Sequence, residues 1–265
     1  KFNNAKSLNL EEKKMRKIII IGASKGLGQA SAIWFSKLNY KIVLLSRSKS
    51  SLEKVRKQCK NSNKHLCLEL DLFKINDIEK SIKKALKFLN GVDVILHAAG
   101  GGLGIHQNLV KHDDFQKVLQ LNLLSAAEVN RVIVPYMKKK KNGNIVHIGS
   151  IASYESAGYL AYNSSKAALS AYVRSLGRDL ASFNVIVTGI LPGGFLAPQN
   201  AMERLKNRKN HIFKKIIKER LPRNKMGKVE EILPIIEFLC SRNAGMMSAC
   251  LVPADAGEGK SYNFN

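Results

Sequence analysis

The chain has 265 residues, 44 of them lysine or arginine against 20 acidic, a formal net charge of +24, with 45% hydrophobic and 24% charged residues. These are globular proportions at a length suited to one α/β unit with a large core, and they exclude a fibrous or disordered chain. No run of about eighteen apolar residues occurs, so no membrane span is expected. The charge excess fits nucleic acid, an acidic protein, a phosphorylated substrate or a lysine-rich surface. Zinc-finger spacing and RNA-binding aromatic motifs are both missing, which makes nucleic acid the minor reading.

Residues 1–14, KFNNAKSLNLEEKK, are too polar for the apolar core of a secretory signal, and Glu11 and Glu12 fit a transit peptide badly. They read as a polar extension ahead of a domain spanning 15–265. Cys59, Cys67, Cys240 and Cys250 form no CxxC pair and no metal-ligand spacing with histidine, so they read as reduced thiols of a cytoplasmic protein, and no metal site is predicted.

Lys17–Ile21 is a continuous isoleucine strand, as expected where both faces of a parallel sheet are covered. It runs into Gly22, Ala23, Ser24, Lys25, Gly26, Leu27 and Gly28, with a helical pattern after them. Strand, glycine loop and helix in that order let backbone amides approach a pyrophosphate at a helix N-terminus. Lys41–Ser46 is the second strand. An NAD site would place a carboxylate just after it; here Ser46 is followed by Arg47, which pairs with a 2′-phosphate, and Lys25 adds a second positive charge. That placement favours NADP(H).

The pattern repeats. His65–Leu70 predicts a third strand, with Asp71 and Leu72 after it as candidates for the adenine edge. Ile75–Leu89 predicts an amphipathic helix with its lysines outward. Val92–His97 predicts a fourth strand, followed by Ala99 and Gly100, small enough for a cofactor to lie against the strand end. Gly101 and Gly102 read equally as a floppy loop. Helical periodicity over Asp113–Met137 predicts two helices and includes Asn122 among leucines. Asn144–Gly149 and Val185–Ile190 predict two further strands, the second running into Pro192 and Gly193. Strands alternating with helices throughout predict a single doubly wound parallel sheet, a Rossmann fold with helices on both faces.

Between the last two strands lies GSIASYESAGYLAYNSSKAAL, Gly149–Leu169. Tyr162 and Lys166, four residues apart on a helix over Ala161–Phe183, share a face. A lysine ammonium beside a phenol favours the phenolate and pulls its pKa toward working pH, making Tyr162 a usable acid and base. Ser150 stands upstream, where its hydroxyl holds a carbonyl oxygen. A second Tyr-x3-Lys, Tyr136 and Lys140, reads as a frayed, solvated helix end.

Taken together, the chain from about Met15 to Gly257 resembles the short-chain dehydrogenase/reductase family in its classical form. The resemblance rests on Gly22-x3-Gly26-x-Gly28, Ala99-Gly100, Asn122, Ser150, Tyr162-x3-Lys166, Pro192-Gly193 and Asp255-Ala256-Gly257. It implies hydride transfer between a nicotinamide and a carbonyl or alcohol, in a homotetramer or homodimer. By the same resemblance Tyr162 is the acid/base and Ser150 orients the substrate. Lys166 holds the nicotinamide ribose and lowers the Tyr162 pKa, and Asn122 anchors a water that links Lys166 to solvent. The chain departs from the family where His97 and Ala98 replace asparagines, which predicts a looser loop. It departs again where Ser150 precedes Tyr162 by twelve residues rather than thirteen, and where Ala197 stands in place of a threonine.

Glu203–Lys228 is the most basic segment, with eleven lysines and arginines against Glu203 and Glu219. By resemblance the region 195–228 covers the substrate, and its charge suits an anionic or carrier-bound one. A 3-oxoacyl thioester and a keto-sugar both fit, the latter through Glu155, Ser156 and His106. A non-catalytic NADP-binding regulator is the reading from another class.

Overall fold

The structure is a computed structural model that describes residues 15–261; the polar extension 1–14 lies outside the described residues. Its centre is a parallel sheet of seven strands: β1 (Lys17–Ile21), β2 (Lys41–Ser46), β3 (Leu66–Glu69), β4 (Val94–His97), β5 (Gly143–Ile148), β6 (Val185–Pro192) and, last in the chain, a strand over Leu251–Ala254. Their spatial order is β3-β2-β1-β4-β5-β6 followed by that last strand, every pair parallel. The order reverses between β1 and β4, and in such a sheet the crevice at the strands' carboxyl ends is the ligand site.

The isoleucines of β1 show why an unbroken apolar run suits this position. Ile18 and Ile20 pack on one face with Ile42, Leu44 and Phe35, while Ile19 and Ile21 pack on the other with Val43, Leu45 and Ile78. Each is at most 2% exposed, and burial of such a side chain contributes about 2 kcal/mol. One face is covered by α1 (Gly26–Lys37), α2 (Lys49–Gln58) and a helix over Val229–Leu239. The other is covered by α3 (Ile75–Leu89), a helical run over 112–140 and the helix over Leu160–Leu180.

The helical run 112–140 is two helices, as expected, but they are fused. α4 (His112–Leu119) passes through a π-helical turn, Gln120–Leu124, into α5 (Ser125–Lys140). Lys138, Lys139 and Lys140 close α5, Lys141 takes the left-handed conformation at its end, and Tyr136 is 45% exposed. α6 is Leu160–Leu180. The third predicted strand stops at Glu69, the fifth starts at Gly143, and the sixth extends through Pro192.

After β6 comes an excursion: β7 (Phe195–Leu196), α7 (Ala201–Arg208), α8 (Asn210–Arg220) and β8 (Gly227–Lys228), which pairs with β7. α9 (Val229–Leu239) and β9 (Leu251–Ala254) complete the chain order. Phe213, Leu221 and Met226, with Met202, Leu205 and Ile217 against them, give the excursion a small core of its own. Its lysines therefore sit on the outside of a packed cap. Among the described residues no helix is long and apolar enough to cross a membrane.

Candidate active site

Gly22 shows how tightly the β1 end is built. Its φ is +86°, and a Cβ there would lie 2.7 Å from the Ala99 backbone nitrogen at the end of β4. Only glycine fits both the conformation and the space. The amides of Gly22 and Ala23 donate to the Leu45 carbonyl at 2.8 and 3.1 Å, tying the loop to the end of β2. Gly26 opens α1 at φ +59°, and a side chain on Gly28 would strike the Gly22 carbonyl, so α1 presses directly on the strand. The first amides of a helix lack intrahelical acceptors. That of Gly26 is taken by the Pro198 carbonyl at 2.6 Å. Those of Leu27 and Gly28 follow in the same turn, and the Leu27 side chain itself is buried.

Ser24 and Lys25 rise from this loop, and Ser46 and Arg47 stand beside it at the end of β2, with Lys25 and Arg47 exposed. The Ser46 hydroxyl is buried with no hydrogen-bond partner. Asp71 accepts from the Phe73 amide at 3.1 Å, and Leu72 is buried beside it. Pro192 ends β6. Gly193 donates to the Ala254 carbonyl at 3.3 Å, with the Glu258 carboxylate where a side chain would otherwise stand. All of these positions lie at the carboxyl edge of the sheet. Close glycine backbone and two cations that form no ion pair among the described residues fit the phosphates of a dinucleotide.

Ser150, Tyr162, Lys166 and Asn122 gather at the same edge. Ser150 follows β5 and caps a short turn, accepting from the Ala152 amide at 3.1 Å. Its hydroxyl also hydrogen-bonds the Tyr162 phenol, which opposes the effect of burial on that group. Tyr162 and Lys166 share a face of α6, with the Lys166 nitrogen 5.8 Å from the Tyr162 ring centre. Lys166 is 3% exposed and donates to the Ile148 carbonyl at 2.8 Å.

Burial acts on both Tyr162 and Lys166. Burial raises the phenol above its ordinary value, and the Ser150 bond only partly offsets it. Burial also weakens the Lys166 ammonium to about 8. Both groups have lost water, and the ammonium is turned onto a backbone carbonyl, so desolvation outweighs their attraction.

The predicted looseness after β4 is corrected. Asn122 accepts from the Gly101 amide and donates to the Gly101 carbonyl, both at 3.0 Å, and donates to the Val118 carbonyl at 2.8 Å. The π turn aims Asn122 at that loop, which is clamped rather than floppy. Beneath it His97 and His147, paired in register on β4 and β5, stack with ring centres 4.3 Å apart. Asn130 of α5 joins them, accepting from His97 Nε2 at 2.8 Å and donating to His147 Nε2 at 3.3 Å. Burial lowers His97 to about 4 and His147 further, so both are neutral. The two histidines, Asn122 and Ser125 line a cavity of about 10 Å³, the size of one water. Sequence reasoning missed this stack; its signal was a histidine at the same place in two apolar strand runs.

Two more groups emerge only in three dimensions. Glu258, 6% exposed, accepts from Gly194 at 2.5 Å and pairs with Arg220 at 2.6 Å, pinning both ends of the cap to the C-terminal segment. Glu155, expected to face a sugar, instead accepts from the backbone amides of Lys260 and Ser261. His106 lies against the Tyr159 ring, 4.1 Å between centres.

A family model described as short chain dehydrogenase matches residues 16–209. The chain is 26% identical over 245 residues to the 3-oxoacyl-(acyl-carrier-protein) reductase of Thermotoga maritima, covering 90% of this chain and 96% of that one. It is 31% identical over 179 residues to carbonyl reductase family member 4 of Danio rerio, covering 67% and 75%. A crystal structure of a short-chain dehydrogenase/reductase of unknown function from Caenorhabditis elegans, with cofactor, superposes at TM-score 0.82 and 30% identity, covering 92% and 94%. The seven-stranded parallel sheet, the glycine loop and the match across most of the chain lead to one conclusion: this protein belongs to the short-chain dehydrogenase/reductase family, oxidoreductases acting on carbonyls and alcohols.

Proposed function

We propose that this enzyme is an NADP(H)-dependent reductase of 3-oxoacyl thioesters. The observation that carries the reading is the meeting of Ser150, Tyr162 and Lys166 at the strand edge that also holds the glycine loop and its unpaired cations. Ser24, Leu27 and Gly28 would hold the diphosphate, with Gly22 and Gly26 shaping the loop, and Lys25, Ser46 and Arg47 would take the 2′-phosphate. Asp71 and Leu72 would serve the adenine, and Ala99, Gly100, Pro192 and Gly193 would bind the remainder of the cofactor. When bound, the cofactor supplies the hydride.

The chain's own residues handle the oxygen and the proton. The Ser150 hydroxyl and the Tyr162 phenol donate to the substrate carbonyl oxygen, placing positive dipole where negative charge develops. Tyr162 then passes its proton to that oxygen. A phenol raised by burial is fully protonated near neutral pH, the state reduction requires of an acid. Lys166 would hold the nicotinamide ribose, and it stabilises the phenolate once the proton has left. Asn122 positions the loop beside Lys166: a side chain on Gly100 would lie 2.8 Å from Asn122 Oδ1 and 3.2 Å from Lys166 Nζ.

The cap favours the thioester over a keto-sugar. Glu155 is occupied by the C-terminal backbone, and the basic outer face of α7 and α8 suits docking of an acidic carrier. The test is NADPH oxidation with a 3-oxoacyl pantetheine thioester, native protein against Tyr162→Phe. Turnover should fall by at least about a hundredfold in the variant, with NADPH affinity within about threefold. Absent turnover in the native protein, with NADPH still bound, would overturn the substrate assignment. Equal turnover in native and variant would overturn the role of Tyr162.

A further inference from the structure

The cap does not merely overhang the cofactor cleft; its first helix is fastened to the glycine loop. The Pro198 carbonyl accepts from the Gly26 amide at 2.6 Å, and the position of a Cβ on Gly26 lies 3.8 Å from Asn200 Cβ. Asn200 begins α7, accepting from the Glu203 amide at 2.8 Å, and holds the Phe195 carbonyl at 2.8 Å. Arg204 is one helical turn further on, its amide bonded to the Asn200 carbonyl at 3.1 Å. Residues four apart share a helix face. Arg204 therefore rises beside Gly26, and so beside Lys25.

Three cations from three separate segments meet here: Lys25 on the loop, Arg47 after β2 and Arg204 on the cap. Among the described residues none has a carboxylate in salt-bridge range. The one acid at the start of α7, Glu203, is committed to the Gln199 amide at 2.6 Å. The Arg204 guanidinium bonds the Gln199 carbonyl, which leaves it further donors. Lys25 registers the crowding: burial weakens its ammonium first, then repulsion by Arg204 and by Arg47. The Ser46 hydroxyl, next to Arg47 in sequence, is buried without a partner. Converging like charges form a site for a compact dianion, which would relieve their repulsion.

We infer that Arg204, carried on the cap, is a third cation binding the 2′-phosphate of NADPH, so that the cofactor's phosphate and the seating of the substrate cap are coupled. The inference rests on the NADP(H) reading above and adds to it a specificity-determining residue outside the nucleotide-binding loops. It also gives the cap a reason to distinguish NADPH from NADH: only the former bridges glycine loop and α7.

The test is equilibrium binding of NADPH and of NADH, followed by nucleotide fluorescence, to native protein, Arg204→Met, Arg47→Met and Lys214→Met. Lys214 is an exposed cap residue that controls for loss of one positive charge. Arg204→Met should weaken NADPH by about tenfold and leave NADH within about twofold, while Lys214→Met changes neither. Competition by 2′,5′-ADP but not by 5′-AMP should weaken in parallel. An equal loss for NADPH and NADH in Arg204→Met would overturn the inference, showing a packing role for the residue. So would an unchanged NADPH affinity in Arg204→Met beside a loss in Arg47→Met, and the NADP(H) reading would then stand alone. Equal affinity of the native protein for NADPH and NADH would overturn that reading and the inference with it.

Discussion

Lys166 is 3% exposed, and burial lowers its ammonium from 10.5 to about 8. At about 1.36 kcal/mol per pH unit, that drop disfavours the charged form by about 3 kcal/mol. The consequence is a pair of opposite pH dependences. With a carbonyl substrate saturating, kcat/KM for NADPH follows the free enzyme, and it should fall about tenfold per pH unit above 8 as Lys166 loses its proton. Stability should move the other way. Between pH 8 and 10.5 the unfolded chain keeps a proton on this lysine and the folded chain does not, so unfolding takes up a proton and stability rises with pH.

Buried Cys59 and Cys67, raised to about 11 and about 12, oppose that rise above pH 9. The quantity to measure is therefore the difference in urea stability between native protein and Lys166→Met. That difference should grow in favour of the native protein by about 3 kcal/mol from pH 8 to 10.5. A flat kcat/KM through pH 9.5, or a stability difference that does not change over the window, would refute the reasoning.

Two further outcomes follow from burial and packing. His97 is lowered to about 4 by burial, so below pH 6.5 the unfolded chain takes a proton that the folded one refuses, and stability is lost as the pH falls toward 4. Urea unfolding at pH 7 and pH 5 should show the native protein losing about 2 kcal/mol more than His97→Asn; equal losses would place the acid sensitivity elsewhere. Gly22→Ala would put a Cβ 2.7 Å from the Ala99 nitrogen at φ +86°. Strain and overlap with backbone should cost about 3 kcal/mol in urea midpoint and impair nucleotide binding. A loss under about 1 kcal/mol would mean that β1 and β4 part easily.

Much of the site was legible because its motifs are local. A strand of isoleucines, a glycine loop that only glycine can form, and a tyrosine and lysine one turn apart each follow from the chain's own periodicity. Those features determined the doubly wound sheet, the cleft edge and the positions of Ser150, Tyr162 and Lys166. Other features depend on what distant segments bring together. The edge strand Leu251–Ala254 is short and carries Pro253, so only pairing with β6 identifies it. Asn122 meets Gly101 because a π turn redirects the helix. His97 and His147 stack because β4 and β5 share a register, and the start of the cap lies against the glycine loop because Pro198 is bonded to Gly26. The acid strengths of Tyr162 and Lys166 were the least legible. Spacing places an ammonium beside a phenol, but the balance between their attraction and the loss of water depends on burial, and burial is decided only when the whole chain has packed.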